Sequence, residues 1–296
     1  MLQLLLGGSG SGKTTLLYQR IRARAEKGEK SILLVPEQFT SSTEGRIYRE
    51  LGDALSGMVE SFSFTSLAEK ILSTEGGAAV QTLSDAGRAV LVRRALEELQ
   101  DNVHYYHRHR RSAAFCQMAA QTIDELKSAG LSGQQLAQLA GACGAESGKL
   151  SELALIFQGY ETLLARSGMD PSDRLELAGA RLEEALARHS LPEFLRDRAV
   201  FIDEFDTFNA PKKRLLGALL EALPSVTVAL CDDGAPLLPG DLSLFSGAKQ
   251  VAAQLRQLAR KNGAEVAVPQ LLRKDLRHRN APGLAAVAEL LETGSC

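Results

Sequence analysis

A glycine-rich stretch directly after a short apolar segment is the feature that most constrains the fold of this chain. Residues 2–6 are apolar except for Gln3, residues 7–14 read Gly-x-x-x-x-Gly-Lys-Thr, and apolar side chains then recur at helical spacing until Gly28. The order strand, glycine loop, helix is the context in which this pattern forms a phosphate-binding loop. The sequence therefore predicts an α/β fold in which a parallel sheet carries a nucleotide site.

Each residue type in the loop suits the binding of a nucleoside triphosphate. Glycines allow backbone N–H groups to converge on phosphate oxygens, and the helix N-terminus adds positive potential. Lys13 is expected to reach the β and γ phosphates as a catalytic cation, and the Thr14 hydroxyl to ligate Mg²⁺. The alternative is a glycine-rich turn that binds nothing. The candidate ATP-binding residues are Gly7, Gly8, Ser9, Gly10, Ser11, Gly12, Lys13, Thr14 and Thr15.

Two adjacent acids end another apolar segment and are the candidates for completing a metal site. Residues 199–202 read Ala-Val-Phe-Ile and are followed by Asp203 and Glu204. We expect Asp203, at the tip of a strand neighbouring the loop-bearing strand, to hold Mg²⁺ through water, and Glu204 to be the catalytic base that polarises the attacking water. Alternatively, the two acids cap the following helix. Asp203 follows Lys13 by 190 residues, and this long separation favours a motor-type ATPase over a small-molecule kinase.

The order of strand and helix patterns predicts a sheet that is interrupted by helices. Strand-like segments at residues 31–35 and 58–63 alternate with helices, as in βαβ units. Residues 67–188 lack β-branched runs and predict about five helices, and the strand pattern returns at residues 199–203 and 226–230. Two helix starts are also predicted, by a capping box in which Glu44 follows a Thr- and Ser-rich stretch and by Asn209 before Pro211.

These patterns also give the expected domain organisation. The first part of the α/β core is residues 1–66, a helical insertion is residues 67–195, and the second part of the core with a C-terminal extension is residues 196–296. The extension is expected to contain a helix at residues 244–261, a short strand at 265–268 and a terminal helix at 282–291.

The charge balance and the cysteine spacing limit which ligands the chain can bind and where in the cell it is expected. The 34 Lys and Arg against 36 Asp and Glu give a net charge of −2, so there is no global positive field for a polyanion and any nucleic-acid contact is expected in a local groove. The four cysteines lack the spacing of a zinc or iron–sulfur site. No apolar stretch reaches the about 20 residues that cross a membrane. We therefore expect a cytoplasmic protein that does not bind a membrane.

Several motifs resemble those of one helicase–nuclease family. Residues 63–72, SFTSLAEKIL, resemble the DNA-contact motif of superfamily 1 helicases, and residues 34–40, LVPEQFT, look like the variant of motif Ia found in AddB, the second subunit of the AddAB helicase–nuclease. GGSGSGKTT, FIDEFDTFNAP and the helix onset at Leu244 and Phe245 fall in the same order as in AddB. The resemblance covers nearly the whole chain.

The resemblance implies a RecA-like core that binds ATP and Mg²⁺, with the helical insertion corresponding to subdomain 1B. It implies an AddB-type subunit that acts on DNA double-strand breaks in recombinational repair, as a heterodimer with an AddA-type motor subunit. AddB proteins are several-fold longer, and their second RecA-like domain and C-terminal nuclease, with its 4Fe–4S cluster, are expected to lie outside this chain. The fragment alone is therefore expected to be weakly active or inactive. AddB often has Gly after the first acid, where this chain has Glu204.

The candidate DNA contacts are Ser63, Phe64 and Thr65, with the Phe64 ring stacking on a base and the hydroxyls donating to phosphates. The alternative is that Phe64 is a core residue at a strand end. Residues 104–111 form the most basic, aromatic-containing stretch of the chain, which is either a phosphate-binding segment or a solvated loop. Asp232 and Asp233 receive no functional role.

Two other functions remain open from sequence. A stand-alone P-loop kinase would need an acceptor pocket and a lid arginine, and the helicase-like segment at residues 63–72 argues against it. A non-catalytic scaffold, in which nucleotide only stabilises the fold and the interface with the motor subunit, differs from an ATPase in not needing Glu204.

Overall fold

A computed structural model describes residues 1–79, 81–144 and 147–293 of the chain. The chain divides into two compact units. The sheet unit consists of Met1–Glu75, Arg181–Phe208 and Leu215–Cys296, and the helical unit consists of Gly76–Ala180 and Asn209–Arg214.

Six parallel strands form the sheet among the described residues, which confirms the expected α/β fold with a parallel sheet. In chain order they are β1 (Leu2–Gly7), β2 (Ser31–Leu34), β3 (Val59–Phe62), β4 (Ala199–Ile202), β5 (Ser225–Cys231) and β6 (Gln270–Leu272). Their order across the sheet is β3-β2-β4-β5-β1-β6. β1, β2, β4 and β5 are buried almost throughout, as expected of parallel strands covered on both faces.

The strand expected at residues 265–268 is wrong. Only Val266 makes an isolated bridge there, to Leu2, and the sixth strand begins after Pro269. The Leu2 N–H donates to the Glu265 carbonyl and the Leu2 carbonyl accepts from the Ala267 N–H. Pro269 has no N–H with which to continue the ladder, so regular pairing with β1 resumes only at Gln270.

The sheet unit also contains helices. The α-helices that lie wholly within it are α1 (Lys13–Ala25), α2 (Thr40–Leu51), α3 (Asp53–Ser56), α4 (Phe64–Glu75), α11 (Ser246–Lys261) and α12 (Pro282–Thr293). Leu17, Tyr18 and Ile21 lie on one face of α1 and belong to the same buried cluster as Leu5 and Leu33 of the sheet. This packing fixes the start of α1 at the end of β1.

The capping box expected at the start of α2 is wrong. Helix α2 follows a 3₁₀ turn, Glu37–Phe39, and no side chain caps it. The Thr40 hydroxyl instead donates to the Glu37 carbonyl and the Ser42 hydroxyl to the Phe39 carbonyl, each at 2.9 Å. These hydroxyls satisfy carbonyl groups of the preceding turn, so they do not accept from the first N–H groups of the helix.

The helical unit is formed by α5 (Asp85–Glu98), α6 (Ala113–Ser128), α7 (Gly133–Ala140), α8 (Ser147–Ser167) and most of α9 (Pro171–Ala187). The helical character predicted for residues 67–188 is confirmed in the described part of that stretch. The predicted N-cap of α10 (Ala210–Ala222) is also confirmed, because the Asn209 side-chain oxygen accepts from the Lys212 N–H at 3.1 Å.

A charged network lies beside the apolar core of the helical unit. Lys127 of α6 contacts Asp170 at 2.7 Å and Asp173 at 2.8 Å. The buried Tyr160 hydroxyl of α8 donates to the other Asp170 oxygen at 2.5 Å, and Asp170 is only 1% exposed. A buried carboxylate needs both the cation and the hydroxyl donor to offset its lost hydration. The network therefore joins α6 and α8 to the start of α9.

None of the helices in the described ranges is long and apolar enough to cross a membrane.

Removal of the Tyr160 hydroxyl is expected to destabilise the chain. Tyr160→Phe keeps the ring in the core but leaves an Asp170 oxygen without its donor, and we expect a loss of about 2 kcal/mol in the free energy of unfolding. Urea denaturation followed by circular dichroism measures the difference. Tyr105→Phe, at an exposed tyrosine of the same unit, is the control and should change the free energy by less than about 0.5 kcal/mol. Equal effects of the two substitutions would contradict the assignment.

Candidate functional site

The glycine loop, residues 7–14, connects the carboxyl end of β1 to the N-terminus of α1. Gly10 and Gly12 have φ values of 79° and 89°, a left-handed conformation that glycine adopts without steric cost. A Cβ added to Gly7 would lie 2.4 Å from the Ser11 Oγ and 2.6 Å from the Leu272 carbonyl oxygen. Gly10 and Gly12 are therefore required by their backbone conformation, and Gly7 by its close packing against Ser11 and Leu272.

The loop is narrow and polar on its inner side. The Lys13 Nζ donates to the carbonyl groups of Gly7 and Gly8, both at 2.8 Å. The Ser11 hydroxyl is buried and has no hydrogen-bond partner in the described structure. Lys13 thus lies folded against the loop, where its amine is close to the place that an anion would occupy.

Thr14 and Asp203 are brought together, as expected from sequence. Asp203 directly follows β4 and is 6% exposed, its N–H donates to the Leu34 carbonyl, and its carboxylate is hydrogen-bonded by the Thr14 side chain. One expectation is corrected: β4 is not the neighbour of β1, because β5 lies between them. The two groups still meet because all these strands are parallel and end at the same edge of the sheet.

Glu204 has a strained backbone. Its φ is +64°, the left-handed region that non-glycine residues rarely adopt. Its N–H donates to the Asp203 carboxylate at 3.0 Å, and the Glu204 side chain lines the same pocket. The two acids are thus locked to each other and do not cap the next helix, which begins at Ala210.

The electrostatics of the two acids are set by burial and by three cations. Burial raises the pKa of Asp203, while hydrogen bonds from Thr14 and from the Glu204 N–H and the charges of Arg46 and Lys13 act in the opposite direction. Burial and the neighbouring Asp203 charge raise the pKa of Glu204, and Arg46, Lys13 and Arg277 lower it. Burial therefore dominates for both carboxyl groups, and cations surround them.

A pocket of about 720 Å³ joins these groups. It is lined by the loop, by Asp203 and Glu204 and by residues that were not predicted as site residues: Gln38, Phe39, Arg46, Phe205, Asp206, Ala229, Cys231, Leu276 and Arg277. Arg46 lies on α2 with its guanidinium 4.9 Å from the centre of the Tyr18 ring. No motif marks it, although its positive charge and its place in the helix that follows LVPEQF were visible signals.

The segment after β6 lies on the glycine loop. The Leu276 N–H donates to the Gly10 carbonyl at 3.0 Å, and the Arg277 guanidinium donates to the Ser9 hydroxyl at 3.1 Å. Asp275 holds this turn by accepting from the Arg277 and His278 N–H groups. Only the folded sheet brings residues 268 positions apart together, so local sequence patterns contain no signal for this contact.

Asp232 and Asp233, which received no role from sequence, have structural ones. Asp232 is 2% exposed and accepts from the Gly234 N–H at 2.7 Å. Asp233 forms an ion pair with the buried Lys249 of α11 at 3.2 Å. They hold the loop after β5 in place.

The proposed base contact of Phe64 is corrected. Its ring is 1% exposed and lies edge-on to Phe205 and Phe208, so it belongs to the core, the alternative interpretation. The Ser63 hydroxyl, also buried, accepts from the Ser66 N–H at 3.1 Å and caps α4. Thr65 is exposed, and its hydroxyl donates to Glu37 at 2.8 Å. The three residues therefore do not form a common surface.

Glycine at position 204 is expected to relieve backbone strain. Because both variants lack the carboxylate, the comparison of Glu204→Gly with Glu204→Ala isolates the backbone, and we expect the glycine variant to be more stable by about 1 kcal/mol. Thermal or urea unfolding measures this. At Glu125, inside α6, the same pair should show the opposite order by about 1 kcal/mol. If alanine is the more stable residue at both positions, the left-handed backbone at Glu204 is wrong.

The buried charge of Asp203 should cost stability in the protein without ligands. Its folded pKa is raised above the ordinary 3.8, so the unfolded state releases its proton first as pH rises, and stability declines from about pH 4 up to the raised pKa. Asp203→Asn should therefore be more stable than the wild type at about pH 7, with the difference shrinking as pH falls towards 4. Urea unfolding at a series of pH values tests this, and an Asn variant that is less stable at every pH would contradict it.

Comparisons with known proteins relate this chain to one family. The family model described as "ADDB, N-terminal" matches residues 4–288. Three similar relatives are each named as the B subunit of an ATP-dependent helicase/deoxyribonuclease. The Desulforudis audaxviator protein is 34% identical, and the match covers 96% of this chain and 25% of the relative. The Moorella thermoacetica protein is 33% identical, with 96% of this chain and 25% of the relative covered. The Clostridium perfringens (strain 13 / Type A) protein is 29% identical, with 94% of this chain and 24% of the relative covered.

The chain spans about a quarter of the length of these curated relatives. The match runs through nearly the whole chain, from β1 to α12. The chain therefore belongs to the AddB family, the B subunits of ATP-dependent helicase/deoxyribonucleases, and corresponds to their N-terminal region.

Proposed function

We propose that this chain is the Mg²⁺-ATP-binding, helicase-like region of an AddB-type subunit. The observation that carries the proposal is the junction of Thr14 with the buried Asp203 beside Lys13, at the carboxyl edge of a parallel sheet. Burial of the Asp203 carboxylate is costly in the protein without ligands, because the Thr14 hydroxyl and the nearby cations offset the lost hydration only in part. A bound metal ion would compensate for the rest.

The residues present fit a metal-bound triphosphate. The left-handed glycines place no side chain of their own among the backbone N–H groups of the loop, and the buried Ser11 hydroxyl has no partner within the described structure. The first N–H groups of α1 are oriented towards the same space. Hydroxyl and carboxylate oxygens are the donors that Mg²⁺ prefers. A pocket of about 720 Å³ lies within the usual range of about 300–1,000 Å³ for such sites.

Each side chain has a chemical role in this proposal. The Lys13 amine would exchange the Gly7 and Gly8 carbonyls for phosphate oxygens, and the Thr14 hydroxyl and the Asp203 carboxylate would hold Mg²⁺. When bound, Mg²⁺-ATP supplies the phosphoryl group and the charge that the metal neutralises. Glu204 accepts a proton from the attacking water, and its raised pKa brings its basicity closer to that of an efficient general base near neutral pH.

The cations across the pocket complete the binding surface. Arg277 lies against Ser9 of the loop, and Arg46 lowers the pKa of both acids. Guanidinium groups suit the oxygens of phosphates because they offer planar, paired donors. We expect Arg46 and Arg277 to bind the triphosphate as positioning cations.

The proposed architecture follows from the family. The sheet unit corresponds to a RecA-like core, and the helical unit, mainly Gly76–Ala180, to an insertion of the 1B type. The whole subunit, with an AddA-type motor subunit, would act on DNA double-strand breaks in recombinational repair. A 4Fe–4S cluster and nuclease chemistry would belong to other parts of the longer protein.

Calorimetric titration of Mg²⁺-ATP into the wild type and Lys13→Ala tests the proposal. Because the amine makes charge-assisted hydrogen bonds with phosphates, Lys13→Ala should weaken binding by about 10- to 100-fold. Lys27→Ala, at an exposed lysine just after α1, is the charge-matched control and should bind as the wild type does. An absence of binding heat in the wild type would remove nucleotide from the proposed function.

Single-turnover hydrolysis on the same samples separates an ATPase from a scaffold. If the chain is an ATPase, Glu204→Gln should abolish hydrolysis and leave nucleotide affinity unchanged. If it is a scaffold, the wild type and Glu204→Gln should behave alike in both measurements. Turnover by this region alone should be slow, since it lacks the charge that a second domain or a partner chain contributes to the transition state.

A further inference from the structure

An aromatic groove on the helical unit is the strongest feature that the nucleotide site does not explain. It has a volume of about 430 Å³ and lies between the segment before α6, α6 itself and the start of α8. We define the aromatic groove by its lining residues, Tyr105, Tyr106, His109, Ala114, Phe115, Met118 and Lys149. We propose that it binds single-stranded nucleic acid, with a base stacked on its rings and the phosphates held by the basic residues around it.

Large apolar side chains of the aromatic groove are exposed to solvent. Tyr105 and Met118 are both 58% exposed, although large apolar side chains are normally buried. Both line the same groove, so two exposed apolar side chains lie side by side there. Such concentrations generally mark binding surfaces.

Three rings of the aromatic groove pack together. Tyr106 and Phe115 are stacked with centroids 5.4 Å apart and planes 28° from parallel. The His109 ring lies 5.6 Å from the Phe115 ring, with their planes 32° apart. Tyr106 and His109 thus both pack on Phe115 at about 30°, and nucleobases stack on such aromatic clusters regardless of sequence.

The aromatic groove is held in place before any ligand binds. The Glu152 carboxylate of α8 is 6% exposed and accepts N–H groups from His104 at 2.8 Å, Tyr105 at 2.9 Å and Tyr106 at 3.3 Å. A Cβ added to Gly148 would lie 2.9 Å from the Tyr105 ring. A buried acid and a close glycine therefore fix the backbone that presents the tyrosines, which lowers the entropy cost of binding.

The segment that forms most of the aromatic groove carries positive charge. Residues 102–123 contain no Asp or Glu, whereas the whole chain has a net charge of −2. Arg108 and Arg111 are exposed and flank the groove residue His109 in the sequence, and Lys149 lines the groove. Positive charge around stacked aromatic rings is complementary to a single strand, in which bases and phosphates alternate. The observations therefore favour single-stranded nucleic acid over a neutral apolar partner.

The proposal deepens the nucleic-acid part of the proposed function and does not depend on the nucleotide site. Fluorescence anisotropy with a labelled oligo-dT of about 20 nucleotides tests it on the full 296-residue chain. Because stacking of one base contributes about 1–3 kcal/mol, Tyr105→Ala should weaken binding by about 5- to 140-fold, while Tyr105→Phe should bind like the wild type. Tyr48→Ala, at a similarly exposed tyrosine of the sheet unit, is the matched control and should have no effect.

Salt dependence distinguishes stacking from charge. Arg108→Gln should lower the slope of log K against log salt by about 0.7 for one lost phosphate contact, and Tyr105→Ala should leave the slope unchanged. Mg²⁺-ATP titration of the same variants should match the wild type, so that failure here is separate from failure of the nucleotide site. Equal oligonucleotide affinity of Tyr105→Ala and Tyr105→Phe would overturn the proposal. So would a Tyr105→Ala variant that keeps its oligonucleotide affinity and loses association with the motor subunit, since the groove would then be a protein interface.

Discussion

The contact between the Thr14 hydroxyl and the Asp203 carboxylate is the interaction on which the site depends. It joins two segments 189 residues apart in the sequence, one following β1 and the other following β4. Parallel pairing of β2, β4 and β5 carries Asp203 to the edge at which β1 ends. If this alignment shifted by one residue, the Asp203 side chain would turn to the other face of the sheet. The position of Asp203 next to Thr14 therefore depends on the register of the strands.

The geometry of the site is costly to the protein without its ligands. A carboxylate is buried next to a second acid, and Glu204 is held in a left-handed conformation. Strain and desolvation of this kind commonly accumulate at functional sites, where they pre-organise groups for a ligand. Lys13 reduces the cost only in part, because its amine is hydrogen-bonded to loop carbonyls. We infer that a metal-bound triphosphate would relieve more of this cost than any contact made within the protein.

Much of the fold can be predicted from local sequence patterns. The features that cannot be predicted depend on contacts between residues far apart in the sequence. Four of the first five strands were predictable because mostly apolar segments bounded by Gly, Pro or acids are typical of parallel sheets. β3, which contains Glu60 and Ser61, was predictable from its place after a strand and a helix. The sixth was placed too early, because Val266 and Val268 have strand-like character whereas Pro269 determines where pairing resumes. Phe64 illustrates another limit: a motif can mark a ring, but only packing against other rings of the core reveals that it is buried. Arg277 reaches the glycine loop through the whole sheet, and no local pattern indicates that contact.

The claim that Thr14 and Asp203 together hold one metal ion is tested most directly by electron paramagnetic resonance with Mn²⁺ in place of Mg²⁺. Mn²⁺ binding in the presence of ATP is measured for the wild type, Thr14→Ala, Asp203→Asn and the double variant. The account predicts that each single substitution weakens Mn²⁺ binding, that the double variant is little weaker than either one, and that the wild-type spectrum shows coupling to phosphorus. Mn²⁺ that binds equally in all four proteins, or without phosphorus coupling in the wild type, would contradict it.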